Sequence, residues 1–305
     1  MHVKSHSNLK NVSIDISNPI KLIKDFGIKI TNPKLSVIVV TWNRENELFE
    51  CLKGLEHQTD KQFEIIIVDN GNSNLSNYEG RNLKYIQLTR NFQLSFAKNV
   101  SLQFARARTV AFLDDDAIPD HRWVENIITS FKNNKIIALR GKIMSKNAEN
   151  IYNLVAYHYN LGKVIIPSFI DSEGNSAFDK NKLVEVDGFN SQLFGHEGVE
   201  LTYRLIGNRN IHLSIYDPSV VIYHNYCASF FHFLLKNIKH AQNRKKIKIQ
   251  NPKLPEFERK YLSLRTKKEN IDLKLLLRLK LLFLRSIGLL ANILGTFISK
   301  YVNFI

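Results

Sequence analysis

The chain has 305 residues and a formal net charge of +15. A hydrophobic share of 44% and an aromatic share of 10% belong to a folded protein with a full core, which excludes an intrinsically disordered chain. Two cysteines, Cys51 and Cys227, without C-x-x-C or zinc-like spacing, exclude a disulfide scaffold and fit a reducing compartment.

Residues 1–33 carry no clear period and contain Asn18-Pro19 and Asn32-Pro33, so an irregular lead-in is expected there, without the apolar core of a signal peptide. Leu35–Thr41 reads as a buried strand from its Val/Ile run. Glu45–Glu56 has Leu48, Cys51, Leu52 and Leu55 at helical spacing. Phe63–Val68 is a second strand, closed by turn chemistry at Asp69-Asn70-Gly71-Asn72-Ser73. Leu83–Leu88 is a third strand, Ser95–Arg106 a helix, and Thr109–Leu113 a fourth strand. Beyond it, Trp123–Phe131 reads as helix and Ile136–Ile143 as strand. Residues 145–182 are ambiguous. An apolar patch at Leu183–Val186, a turn at Asp187-Gly188 and a helix near Val199–Ile206 follow, with short strands at Ile211–Ile215 and Val220–Tyr223. This alternation predicts an α/β fold with a mostly parallel central sheet flanked by helices.

Polar clusters sit at or just past the strand ends: Thr41-Trp42-Asn43-Arg44, Asp69-Asn70, Asp114-Asp115-Asp116 and His224. Another, Gly195-His196-Glu197-Gly198-Val199-Glu200, opens a helix. Three adjacent carboxylates repel one another unless a cation or polar ligand offsets them, and strand carboxyl ends are where α/β sheets bind ligands. Taken singly, the acidic run is equally well an acidic turn capping the next helix, Thr41 a strand end, and Asp69 an Asx turn. Phe194 is a candidate lining residue of an acceptor groove.

In order and spacing these segments resemble the family 2 glycosyltransferases, inverting enzymes of GT-A fold. The resemblance covers roughly residues 34–230 and rests on Ser-Val-Ile-Val-Val-Thr-Trp-Asn-Arg, Ile-Ile-Val-Asp-Asn-Gly-Asn-Ser and Phe-Leu-Asp-Asp-Asp-Ala-Ile-Pro. It continues through the block from Val186 to Leu205 and ends at His224, with Ser229 five residues on. It implies a Rossmann-like nucleotide-binding half over 34–120 and an acceptor half over 121–229. It implies nucleotide-sugar contacts at Thr41, Asn43, Arg44, Asp69, Lys98, Asp114 and Asp115, with Mn2+ or Mg2+ held by Asp116 and His224. The donor implied is a UDP-sugar, and the acceptor a glycan or lipid-linked hydroxyl in bacterial surface polysaccharide or lipopolysaccharide synthesis. Many relatives carry Glu-Asp where this chain has Glu197-Gly198 and use the Asp as base. Glu197 is the nearest substitute, and Glu200 the alternative one turn on. The departure keeps a second reading open, a catalytically silent nucleotide- or glycan-binding subunit.

The charge is concentrated in the tail. From Lys236 onward there are 17 Lys/Arg against 4 Asp/Glu, so residues 230–305 are read as a basic, amphipathic helical extension. From Leu273, a polar stripe of roughly 60° holds Lys274, Arg278, Arg285, Asn292, Thr296, Ser299 and Asn303 on an otherwise apolar cylinder. The uncharged run Ser286–Ser299 falls short of the roughly 20 residues that span a bilayer. An interfacial helix is expected, apolar face in the lipid and cationic stripe at anionic headgroups. That makes the protein cytoplasmic and peripheral at the inner face of the cell membrane. The alternative is a helix that pairs with another subunit, as in a homo-oligomer, or packs on the body. Nucleic acid is not an expected partner, for want of a recognition module.

Overall fold

The computed structural model describes residues 19–27, 30–71, 78, 81–147, 150–156, 158–193, 195–207, 209–264 and 275–302. Phe194, most of the lead-in, Asn72-Ser73, Lys274 and Asn303 lie outside them. Strands β1 (Ile20–Phe26), β2 (Leu35–Thr41), β3 (Phe63–Asp69), β4 (Leu83–Leu88) and β5 (Thr109–Asp114) form the first half of one sheet. Between them lie α1 (Glu45–Glu56) and α2 (Leu94–Leu102). Then come β6 (Ile118–Pro119), α3 (Trp123–Asn133), β7 (Ala138–Met144), α4 (Ile151–Val155), β8 (Ile166–Pro167) and β9 (Asn175–Asp179). The body ends with α5 (Lys180–Glu185), α6 (Glu197–Ile206) and β10 (Ser214–Tyr223), and α7 (Phe230–Gln250), α8 (Leu254–Leu262) and α9 (Leu275–Val302) complete the chain.

The sheet order is β1-β4-β3-β2-β5-β9-β7-β10-β6. The run β4-β3-β2-β5 is parallel, as is β7 with β10, whereas β9 runs antiparallel between β5 and β7. Alternate side chains of β2 explain the layers. Leu35, Val37 and Val39 pack with Leu48, Leu52 and Trp123 on one face; Ile38 joins Ile66, Phe112, Phe178 and Leu205 on the other. Helices therefore cover both faces, and the parallel strands can be apolar throughout.

The lead-in is not wholly irregular, because β1 pairs antiparallel with β4. Only Phe26 of β1 is fully buried, Ile23 is exposed, and Lys21, Lys24 and Asp25 face water. An edge strand of this kind, blunted by charge, has no clean period to read. The ambiguous stretch 145–182 holds α4, β8 and β9. Leu183–Val186 is mostly helix, N-capped by Asp179, whose side chain accepts from the Asn181 and Lys182 amides. The two short strands expected after residue 210 are one, β10, with a register shift between Asp217 and Val221. Pro218, which has no amide to donate, sits in that irregularity.

The tail is not a separate appendage. Ser229 accepts from the His232 amide and caps α7, and Phe233 enters the main core beside Tyr152 and Tyr226. Helix α9 lies along α7 in the same direction: Gly288 faces Phe233, and Gly295 faces Ile238 and Ala241. A Cβ on Gly295 would come within 2.5 Å of the Ile238 carbonyl oxygen, so the glycine permits close helix contact. Among the described members of the polar stripe, Asn292 borders this contact, whereas Arg278, Arg285 and Thr296 are exposed. Asn292 donates to Asn237 at 3.4 Å, and Lys245 donates to the Thr296 carbonyl at 3.4 Å. The rest of the outward surface is largely apolar, with Leu275, Leu279, Leu282, Phe283, Leu290 and Phe297 all exposed.

Two features tie together the elements packed around β7, β10, α6 and α7. Arg140, 0% exposed, ion-pairs with Asp171, donates to the His158 carbonyl at 2.5 Å, and faces the Tyr216 ring. Arg140→Ala would break this buried ion pair and its hydrogen bond to the His158 carbonyl, and urea denaturation should read a loss of about 3–5 kcal/mol. His196 and His240 meet ring to ring at 5.0 Å between α6 and α7. Burial, helped by nearby Arg244, holds His196 down to about 4; burial and His196 hold His240 down to about 3. The unfolded chain takes up these protons near pH 6.5, so their contribution is complete above that value and is lost as pH falls through 4 and 3. The melting temperature should therefore fall on acidification below about pH 6.5, and His240→Gln should flatten that slope.

Candidate active site

The parallel strands β2, β3 and β5 end together, so their last residues share one edge of the sheet. Thr41, 1% exposed, donates its hydroxyl to Asp115 at 2.9 Å. Arg44, at the start of α1, reaches Asp116 at 3.0 Å and Asp115 at 3.4 Å. His224, just past β10, sets Nε2 at 3.0 Å from Asp116 and Nδ1 at 3.2 Å from the Tyr159 hydroxyl. Tyr159 thereby fixes the imidazole ring from behind.

Burial and mutual repulsion separate the three acids. Asp115 is pushed up to about 7, first by burial and then by Asp116, against the pull of Arg44 and Thr41. Burial also acts on Asp116, but the hydrogen bond and charge of His224, with Arg44, outweigh it and take it to about 2. Asp114 is raised by burial, partly opposed by His224. The triplet is thus one firmly ionised carboxylate between a histidine and an arginine, with two neighbours biased towards protonation.

Asp114, Asp116 and His224 each offer a ligand atom, all within 4.8 Å of one another. Two carboxylates and an imidazole suit a divalent cation such as Mn2+ or Mg2+, and the half-open cluster leaves room for substrate oxygens. The donor set fits the expected metal, with Asp114 added to Asp116 and His224.

Asp69 is fully buried; Tyr85 donates to one oxygen at 2.5 Å and the Gly71 amide to the other at 2.6 Å. Its carboxylate holds the loop after β3, beside Thr41, whose carbonyl accepts from the Asn70 amide. Asn43, at φ 54°, lays its side chain over Gly71. Lys98, 4% exposed, sits between the Phe112 and Phe189 rings at 5.6 and 4.9 Å, among the charges of Asp114 and Glu197.

The two candidate bases part company. Glu200 is buried and bound by Arg204 at 2.7 and 2.8 Å, while Arg204 also donates to the Val186 and Gly188 carbonyls. It braces α6 and is not among the residues that line the cavity. Glu197 does line the cavity, at 3.5 Å from the Ser95 hydroxyl, and burial together with Glu173 raises its pKa.

The cavity has a volume of about 470 Å³ and runs from Asp114 and His224 to the N-terminus of α6. Its remaining wall carries residues the sequence did not single out: Tyr159 and Glu173 from the ambiguous stretch, and Lys236, Lys239 and His240 from α7. The only signal for the latter was their shared helical face, overlooked within a stretch read as tail.

Residues 36–239 match the model of the family described as Glycosyl transferase family 2. The GalNAc(5)-diNAcBac-PP-undecaprenol beta-1,3-glucosyltransferase of Campylobacter jejuni is 38% identical over 94 residues, 28% of this chain and 30% of that protein. The chain spans less than half the length of the curated relatives it matches. Among solved structures, the mannosyltransferase PcManGT from Pyrobaculum calidifontis, in complex with GDP-Man and Mn2+, superposes with a TM-score of 0.54 at 17% identity. That superposition covers 94% of this chain and 77% of the other. S. aureus TarS 1-349 in complex with UDP-GlcNAc gives a TM-score of 0.57 at 17% identity, covering 85% and 81%. At such identities the likeness is one of fold. With more than half of its residues inside the family model, the chain belongs to glycosyl transferase family 2 and carries its GT-A architecture.

Proposed function

We propose that the protein transfers a sugar from a nucleoside-diphosphate donor, a UDP-sugar by preference, to a hydroxyl of a glycan or lipid-linked acceptor, with inversion at the anomeric carbon. The observation that carries this reading is the convergence of Asp114, Asp116 and His224 beside the ends of β2 and β3. Family membership supports it, as do fold neighbours bound to GDP-Man with Mn2+ and to UDP-GlcNAc.

In this reading Asp114, Asp116 and His224 hold Mn2+ or Mg2+. The cation, when bound, offsets the negative charge that gathers on the diphosphate as the sugar leaves. The chain's own groups prepare that corner. Tyr159 orients His224, Arg44 holds Asp116, and Thr41 fixes Asp115. Thr41, Asn43, Arg44, Asp69, Lys98, Asp114 and Asp115 form the donor side, with Asp69 shaping the loop against which the nucleoside rests. The proton acceptor belongs to the opposite wall, where Glu197 and Glu173 meet. Asp116→Ala should cut Mn2+-dependent UDP release from UDP-sugars by about 100-fold or more and weaken UDP binding in calorimetry. Its circular dichroism should match the parent, and an unchanged rate would end the metal role.

One residue favours a second reading: Gly198, where many relatives have their base. UDP binding with Mn2+, but no turnover across a donor panel, would select the silent binding subunit.

We further propose that the protein works at the inner face of a membrane in surface polysaccharide or lipopolysaccharide synthesis, with α9 as its seat. Leu275–Ile298 is long and apolar enough to cross a bilayer by length and composition. Its close packing along α7 supports an interfacial seat instead, with the leucine and phenylalanine face in the acyl boundary. Basic residues of the tail add on the order of 1 kcal/mol each near anionic lipid. In co-sedimentation, phosphatidylglycerol vesicles should bind the protein more than phosphatidylcholine ones. Replacing Leu282, Phe283 and Leu290 together by serine should lower binding about tenfold or more; binding equal to the parent would remove α9 as the seat.

A further inference from the structure

The space beside Gly198 is already filled. A Cβ built there would lie 2.9 Å from both Cγ and Oε1 of Glu173, and 2.6 Å from the Ile170 carbonyl oxygen. A carboxylate-bearing residue at 198, as many relatives have, would compete with Glu173 for the same volume. The Gly198 amide instead donates to Glu173 Oε1 at 2.6 Å. Glu173 therefore rests on the first turn of α6, where unpaired amides and the helix dipole favour an anion.

The next residue ties this carboxylate to the acid tip. A Cβ on Gly174 would fall 1.9 Å from Asp114 Cγ, so only glycine lets the loop lie against β5. The Gly174 carbonyl also accepts from the Asp114 amide at 3.2 Å. Glu173 and Asp114 thus line one cavity, joined by a single residue, while Glu197 is only 5% exposed and turned to Ser95.

We propose that Glu173 is the catalytic proton acceptor, a carboxylate supplied by the loop before β9 in place of the one that α6 lacks at Gly198. This deepens the transferase reading and rests on it. The acceptor hydroxyl oxygen forms its bond to the anomeric carbon as its proton passes to Glu173 Oε2. The bond from that carbon to the donor phosphate oxygen breaks, and its electron pair leaves with the nucleoside diphosphate. Glu173 Oε1 stays anchored on the Gly198 amide, which aims the other oxygen. Glu197 is a positioning residue in the same wall.

The test uses the full chain with Mn2+ and four donors, UDP-glucose, UDP-GlcNAc, UDP-galactose and GDP-mannose, reading nucleotide release with water as acceptor. Glu173→Gln keeps an oxygen for the Gly198 amide but cannot take the proton. It should lower kcat by about 100-fold or more, the range of a lost general base, with donor KM and calorimetric UDP affinity within about twofold of the parent. Glu197→Gln should cost less than about tenfold. Glu173→Ala should regain turnover on addition of formate, a small carboxylate able to enter the vacated space. A Glu173→Gln protein within about tenfold of the parent kcat would overturn the assignment. So would a loss matched by an equal loss of UDP affinity, which marks a structural role. A parent chain that binds UDP but releases nucleotide from none of the donors sinks the transferase reading itself, and the base with it.

Discussion

Three consecutive carboxylates at the end of a buried strand repel one another, and the architecture around the cavity is arranged to hold them. Thr41 comes from β2, Arg44 from the turn into α1, and His224 from beyond β10. Each lies far from residue 114 in sequence and near it only because β2, β5 and the β7-β10 pair run parallel to a common edge. Two apolar layers, one on each face of the sheet, fix that edge. Parallel strands buried on both faces rarely slip in register, so the tip keeps its geometry. The acids are unfavourable on their own and are held as part of this convergence.

The cavity wall opposite the acids follows a different logic. There, two glycines let backbone segments approach closely: Gly174 against Asp114, Gly198 against Glu173. Arg140 with Asp171 beneath the wall, and Glu200 with Arg204 behind α6, are satisfied ion pairs that brace it.

Much of the fold was legible because its strands are extreme in character. Leu35–Thr41 is a nearly unbroken apolar run, Leu83–Leu88 is buried at all but Lys84, and α1 carries Leu48, Cys51, Leu52 and Leu55 on one side; the expected bounds of all three match the structure. Ile20–Phe26 was missed because an edge strand half in water lacks alternation. The acid tip could be read because strand end and charge are adjacent in sequence. Glu173 could not: its meaning depends on Gly198, 25 residues away. From sequence, Gly198 is a lost side chain; in the fold it is the room that Glu173 needs. Periodicity likewise defines the polar stripe of α9 without saying what it touches: Asn292 meets α7, while Arg278 and Arg285 are exposed.

Helix α7 has two occupied sides. Lys236, Lys239 and His240 look into the cavity, while Phe233, Asn237 and Ala241 meet α9. The polar cavity and the apolar outer face of α9 are thus separated by one rod, and packed helix axes lie about 8–10 Å apart. Any displacement of α9 would therefore pass to the cavity wall through a single rigid element, with no flexible tether between them.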